Sequence, residues 1–166
     1  MLATHKYSTA KLLVLGAVAL AFELTLLERW SLKGARPEAL LSLACFAALF
    51  ARDSAQGLIA SWLIGLLKDL GSAGPLGLHA LLFLGAGWVV LQIRQVLYRE
   101  SPLTQVAVTF IAACWVNLAA AIVVAVTVGG IPVGVLLGKT ALSALLTAAV
   151  TVPLHFTLSL GRGLLR

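Results

Sequence analysis

Long apolar runs, broken only by short charged or turn-forming segments, fill this chain from Leu12 to Leu160. A helix crosses the hydrocarbon of a bilayer with about 20 apolar residues, within a range of about 17–25. The runs fall at about 12–28, 37–51, 54–70, 75–93, 102–128 and 132–160. They predict an all-α integral membrane protein: a bundle of six transmembrane helices with short loops, forming one polytopic domain. The chain is 61% hydrophobic and 11% charged, whereas soluble domains are about 45–50% apolar and about 25% charged.

The breaks carry helix signals. Read as one helix, Pro37 to Leu70 would be roughly 50 Å long at about 1.5 Å per residue. It would also hold Arg52 and Asp53 at mid-membrane, where each costs about 2.5–3.5 kcal/mol on insertion scales. Two helices joined at Arg52-Asp53 avoid that cost. Pro37 suits a first turn and Glu38 the positive end of the dipole, while Asp53 with Gln56 has the spacing of a capping box. Pro75 opens the fourth run, Ser101-Pro102 the fifth and Ile131-Pro132 the sixth, which Pro153 is expected to bend.

The formal net charge of +6 comes from basic residues scattered singly between apolar runs, a pattern of membrane orientation rather than of nucleic-acid binding. With the N-terminus inside, Lys6, Lys11, Arg52, Arg94, Arg99, Arg162 and Arg166 collect on the inner side and Arg29, Lys33, Arg36 and Lys68 on the outer. Seven against four places both termini in the cytoplasm. The first run lacks a small-residue cleavage site and reads as a spanning helix rather than a signal peptide. Cys45 and Cys114 each lie inside an apolar run and read as reduced packing residues.

No spacing proposes catalysis. A glycine-rich phosphate loop, a CxxC pair and an HExxH motif are all missing from the sequence, and its six acids and three histidines are isolated. The expectation is therefore no catalytic residue, no metal and no cofactor. The polar residues inside the runs are Glu23, Asn117 and Lys139. Glu23 is costly there unless paired, protonated or facing water. It is expected to pair with Lys139 or to share a polar cavity with it, against snorkelling of each to the outer interface. Asn117 is expected to bond another helix of the bundle. His155, two residues past Pro153, is expected to bond a freed carbonyl rather than a metal. Trp30, beside Arg29, fits an interfacial anchor.

Two stripes of small residues recur at intervals of four: Gly57, Ser61 and Gly65, then Gly130, Gly134 and Gly138. Small residues at this period let helices approach closely in lipid. They are read as packing within the subunit, with docking of another protein's helix as the sharper alternative. Between the third and fourth runs, Lys68-Asp69-Leu70-Gly71-Ser72-Ala73-Gly74-Pro75-Leu76-Gly77 forms a tight turn. Asp69 stands at the C-terminal, negative end of its helix. It therefore requires a compensating partner, for which His79 or an exposed amide of the turn is the best candidate.

The stretch from Gly57 to Leu81 resembles the signature region of the bacterial rod shape-determining protein MreD family, which reads GxxxGLxxDxx, then a small-residue turn, then LGxxAL. The matching positions are Gly65, Leu66, Asp69, Leu76, Gly77, Ala80 and Leu81, and Ser61 stands at the first glycine. Pro37-Glu38-Ala39-Leu40-Leu41 is similar to the family's opening of helix two. Gly65, Asp69, Pro75, Gly77 and His79 are thereby the candidate motif and turn residues.

The resemblance implies a non-enzymatic scaffold of the cell-wall elongation machinery in the bacterial cytoplasmic membrane, which helps maintain rod shape and lateral peptidoglycan synthesis. It implies docking of the single transmembrane helix of MreC. Indirect links to MreB, RodA and its transpeptidase partner follow, with membrane lipid around the bundle and no nucleic acid. It also implies a fold like the substrate-binding membrane subunits of energy-coupling-factor vitamin transporters. The alternative function is therefore such a small-molecule binding subunit, for which the short outer loops offer few polar residues. A lipid-headgroup or lipid-carrier site around Glu23, Lys139 and Asn117 is a more distant third.

Overall fold

The computed structural model describes residues 9–25, 35–72, 74–95, 101–128 and 133–160. They form six helices: α1 (Thr9–Thr25), α2 (Ala39–Phe50), α3 (Ser54–Leu70), α4 (Leu78–Ile93), α5 (Pro102–Val128) and α6 (Val133–Leu160). The expected end of the first helix at 26–28, Trp30, Gly130 and Pro132 lie outside the described residues.

α2 is the centre of the bundle. It touches each of the other five helices, while α1 packs on α3, α3 on α4, α4 on α5 and α5 on α6. Its sequence, ALLSLACFAALF, has no polar face, and a helix apolar all round has to be covered all round. Every residue from Ala39 to Leu49 is buried. Phe46, Leu40, Leu41, Leu43 and Leu49 are the largest side chains in its share of the core, joined there by Ile64, Phe83, Val90, Val108 and Val116 from the surrounding helices.

The expectation of six spanning helices is corrected. Among the described residues, two windows are long and apolar enough to cross a membrane: Leu103–Val123 in α5 and Leu137–Thr157 in α6. Among the described residues α1, α2, α3 and α4 hold 17, 12, 17 and 16 residues, at or below the lower end of the range of about 17–25 that a span takes. At about 1.5 Å per residue α2 is only about 18 Å long.

The small-residue stripe of α3 is internal. A Cβ on Gly65 would lie 2.5 Å from the His79 carbonyl oxygen and 2.7 Å from the Ala80 Cα. Gly57 faces Ala51 and Ala48 of the α2 end and Leu91 of α4, and Gly87 of α4 receives Ser61. These residues bring the backbones of α3 and α4 together. Gly134 and Gly138 of α6, by contrast, have nothing within 4 Å.

The start of α3 at Ser54 agrees with the sequence expectation, while the start of α4 and the capping at Asp53 do not. α4 begins at Leu78, not Pro75: Gly77 is its N-cap at φ 94°, a left-handed backbone that favours glycine. Pro75 lies in the turn, its carbonyl accepting from the Leu78 N–H. Asp53 is the N-cap of α3 and Glu38 of α2, yet neither side chain makes a cap hydrogen bond. The expected capping box at Asp53 therefore does not form, and Arg52 and Asp53 are exposed where α2 turns into α3.

Candidate functional site

The C-terminal end of α3 carries two adjacent charges, and each meets a different helix. Asp69 is completely buried. Its Oδ2 accepts from the Gly77 N–H at 2.9 Å and the Ala80 N–H at 3.1 Å, and its Oδ1 from the His79 N–H at 2.9 Å. His79 Nδ1, also 2.9 Å away, donates to the same Oδ1. The carboxylate thus takes up the orphan amides at the start of α4, where the helix dipole favours a negative charge. A side chain that is misplaced on its own helix is well placed on the next one.

Lys68 turns the other way and pairs with Glu23 of α1. Glu23 Oε2 in turn accepts from the Leu40 N–H at 3.1 Å, so a carboxylate from α1 caps the N-terminus of α2. This corrects the expected partner: Glu23 pairs with Lys68, and Lys139 is exposed on α6. The sequence counts Lys68 only among the cations of the outer side. The structure shows it folded inward, its side chain 15% exposed. Glu38 stands within electrostatic reach of Lys68, Glu23 and His79, with its Oε2 buried and without a hydrogen bond.

The opposite end of α2 is held by a cation. Arg94, at the end of α4, is 9% exposed. Its Nη1 donates to the carbonyls of Ala48 at 2.9 Å and Ala51 at 3.0 Å. These are C-terminal carbonyls of α2, which the helix itself leaves unpaired. The arginine that sequence alone assigns to the cytoplasmic surface is a clamp on the central helix.

Of a third polar element the sequence pointed only to His155. Ser143, Thr147, Thr151 and His155 follow one another at intervals of four along α6 and are all buried. Ser143 Oγ donates to the Arg36 carbonyl at 2.7 Å, and Thr147 Oγ1 accepts from the Glu38 N–H at 3.0 Å. Thr151 Oγ1 lies 2.9 Å from Ser42 Oγ. His155 Nε2 donates to the Ser42 carbonyl at 3.0 Å, and its Nδ1 faces the Gln105 side-chain amide at 3.1 Å. The carbonyl that His155 bonds therefore belongs to α2, not to the turn freed by Pro153. The i, i+4 spacing of hydroxyls was the available signal. Asn117 bonds its own helix, donating to the Ala113 carbonyl at 2.9 Å, rather than a neighbour.

Thr147 also fixes a level. It is the middle residue of the apolar window Leu137–Thr157, so α2 starts beside the midpoint of that window. The Glu23–Lys68 pair that caps α2 stands within a turn or so of the same height. Backbone ends at such depth are tolerated only where protein buries and bonds them, and that is what Glu23, Thr147 and Asp69 do for α2 and α4. Among the described residues no group of three His, Cys, Asp or Glu side chains is placed to hold a metal ion.

The pattern of a charged α3 end closing on the starts of α2 and α4 coincides with the stretch that carries the family resemblance. The model of the family described as rod shape-determining protein MreD matches residues 6–159. The chain belongs to the MreD family. Nearly the whole chain lies inside the match, so the membrane setting and a role in determining cell shape come with membership. No curated protein and no solved structure matches the chain. Of the family motif, Gly65 gives the close α3–α4 approach, Asp69 caps α4, Gly77 supplies the left-handed N-cap, and His79 donates to Asp69.

Proposed function

We propose that this MreD-family chain is a non-enzymatic membrane scaffold of the cell-wall elongation complex. It docks the transmembrane helix of MreC and through it supports lateral peptidoglycan synthesis and rod shape. It is a multi-pass protein of the bacterial cytoplasmic membrane with both termini cytoplasmic; its wider links to MreB, RodA and the transpeptidase run through MreC. α2 is carried inside the bundle.

One observation carries this reading: six polar side chains of the interior are engaged in contacts within the chain, most of them at helix ends. Glu23, Lys68, Asp69, Thr147, His155 and Arg94 each bond backbone or side chains of their own chain. Such a bundle is a fixed body with outward helix faces for binding, rather than a pocket of converging free groups.

The test is co-purification from native membranes in mild detergent, with mass spectrometry of the eluate. A bitopic coiled-coil partner in fixed ratio is the expected result. Recovery instead of a pair of ATPase subunits together with a bound small molecule would replace the scaffold with the transporter subunit.

A further inference from the structure

Glu38 opens α2 with its carboxyl unused. It is the N-cap residue, where an ionised side chain would accept from the first free amides of the helix, yet it makes no cap hydrogen bond. That work falls to others. The Leu40 N–H donates to Glu23 Oε2, and the N–H of Glu38 itself donates to Thr147 Oγ1. The residue is half-buried, and its Oε2 is shut off from water without a hydrogen-bond partner.

The charges around this carboxyl are uneven. α3 brings Lys68, α1 brings Glu23 and the start of α4 brings His79, all within electrostatic reach of Glu38. Arg36, two residues back, is exposed and acts electrostatically on Lys68. α6 meets this stretch with hydroxyls, Ser143 on the Arg36 carbonyl and Thr147 on the Glu38 N–H; its Lys139, one turn from Ser143, is exposed. His79 is turned to Asp69, and Lys68 is bonded to Glu23. Two carboxyls thus stand around one ammonium, and the ammonium bonds Glu23.

A buried carboxylate oxygen without a donor is so unfavourable that the group takes up a proton instead. Two carboxyls that share a site act in the same direction, because the second resists ionising beside the first. With Glu38 neutral, the cluster balances as one Glu23–Lys68 pair. With Glu38 ionised, it holds an unmatched negative charge beside Thr147, the middle residue of the apolar window of α6, and a second carboxylate competes for Lys68.

We propose that Glu38 is a proton-binding site. It holds a proton in the folded bundle at neutral pH, and losing that proton sets Glu38 against Glu23 for Lys68 and weakens the junction of α1, α2 and α3. The site belongs to the chain itself and operates with or without a docked partner helix.

The test is infrared spectroscopy of the full chain in lipid vesicles, at neutral pH and then through an alkaline titration. The carbonyl stretch of a protonated carboxylic acid is expected in the parent at neutral pH. It is expected to shift in Glu38→Asp, which keeps the carboxyl, and to be absent from Glu38→Gln. Detergent unfolding across the same pH range gives the second readout. A carboxyl in the unfolded chain is ionised at neutral pH, so the folded state binds the extra proton and stability falls as pH rises. Between the ordinary carboxyl range and the pH at which the band disappears, the unfolding constant of the parent is expected to grow about tenfold per pH unit relative to Glu38→Gln. If the parent shows no such band, if the band survives unshifted in the Glu38 variants, or if the two stability profiles run parallel, Glu38 is not the proton site and the proposal fails.

Discussion

Removing Asp69 tests the link between the turn motif and the fold most directly. In Asp69→Ala three amides lose their acceptor: Gly77, His79 and Ala80. A buried unsatisfied donor costs about 1–3 kcal/mol. The Ala80 amide is buried and keeps the full cost, about 2 kcal/mol. The other two bonds are only partly buried, and water reaching those amides cuts their cost to about 1 kcal/mol or less each. Loss of the negative charge at the start of α4 adds about 0.3–1 kcal/mol. The expected destabilisation is about 4 kcal/mol.

Asp69→Asn discriminates between lost acceptors and lost shape. Its oxygen can stay with the Gly77 and Ala80 amides, and its NH2 can donate to His79 Nδ1 in the other tautomer, which leaves the His79 amide alone. About 1.5 kcal/mol is expected, the cost of one partly buried donor and of the charge. His79→Ala leaves the three backbone bonds in place and is expected to cost about 1 kcal/mol. Reversible unfolding in mixed detergent micelles with increasing dodecyl sulfate, followed by far-UV circular dichroism, reads all three. If Asp69→Ala stays within about 1 kcal/mol of the parent, or if Asp69→Asn is as damaging as Asp69→Ala, the capping account is wrong.

Three further outcomes follow from the same geometry. Arg94→Leu strips a buried cation from the carbonyls of Ala48 and Ala51 and is expected to cost about 2–4 kcal/mol by the same unfolding assay, with Arg94→Lys intermediate because an ammonium lacks the fork. Gly65→Ala drives a methyl into the α4 backbone and is expected to cost about 1–3 kcal/mol, whereas Gly134→Ala and Gly138→Ala meet nothing and leave the melting temperature unchanged or raised. A double-mutant cycle of Glu23→Gln with Lys68→Met is expected to show a coupling of about 1–3 kcal/mol, and one of Glu23→Gln with Lys139→Met simple additivity; coupling only in the second cycle would reverse the assigned pair.

The helices were legible because apolar runs and their breaks are local properties. Arg52-Asp53 separates α2 from α3, and the small-residue turn separates α3 from α4, in sequence as in space. The small-residue period of α3 was also readable as close packing within the subunit, and Asp69 as a charge that requires a partner. What the sequence does not hold is which distant groups meet. Glu23 and Lys68 are 45 residues apart, and several cations were equally plausible on sequence grounds. Arg94 looks like any arginine after an apolar run, and only the packing of α4 on α2 turns it inward. Ser143, Thr147 and Thr151 were lost among apolar neighbours because hydroxyls raise no alarm in a hydropathy count, although their spacing of four was there to see.

These distant meetings share one cause. A 12-residue helix buried from Ala39 to Leu49 leaves unpaired amides and carbonyls at its ends that side chains from elsewhere answer. Glu23 and Thr147 answer at the N-terminus and Arg94 at the C-terminus, each with the group its end favours: acceptors for N–H groups, a cation for carbonyls. Sequence reasoning that assigns each charge to a membrane surface will misplace these residues, because here a charge marks the end of a buried helix as readily as the end of a span. The consequence is mechanical. α1, α4 and α6 are tied to α2 by directional bonds rather than by packing alone, so α2 fixes their relative positions.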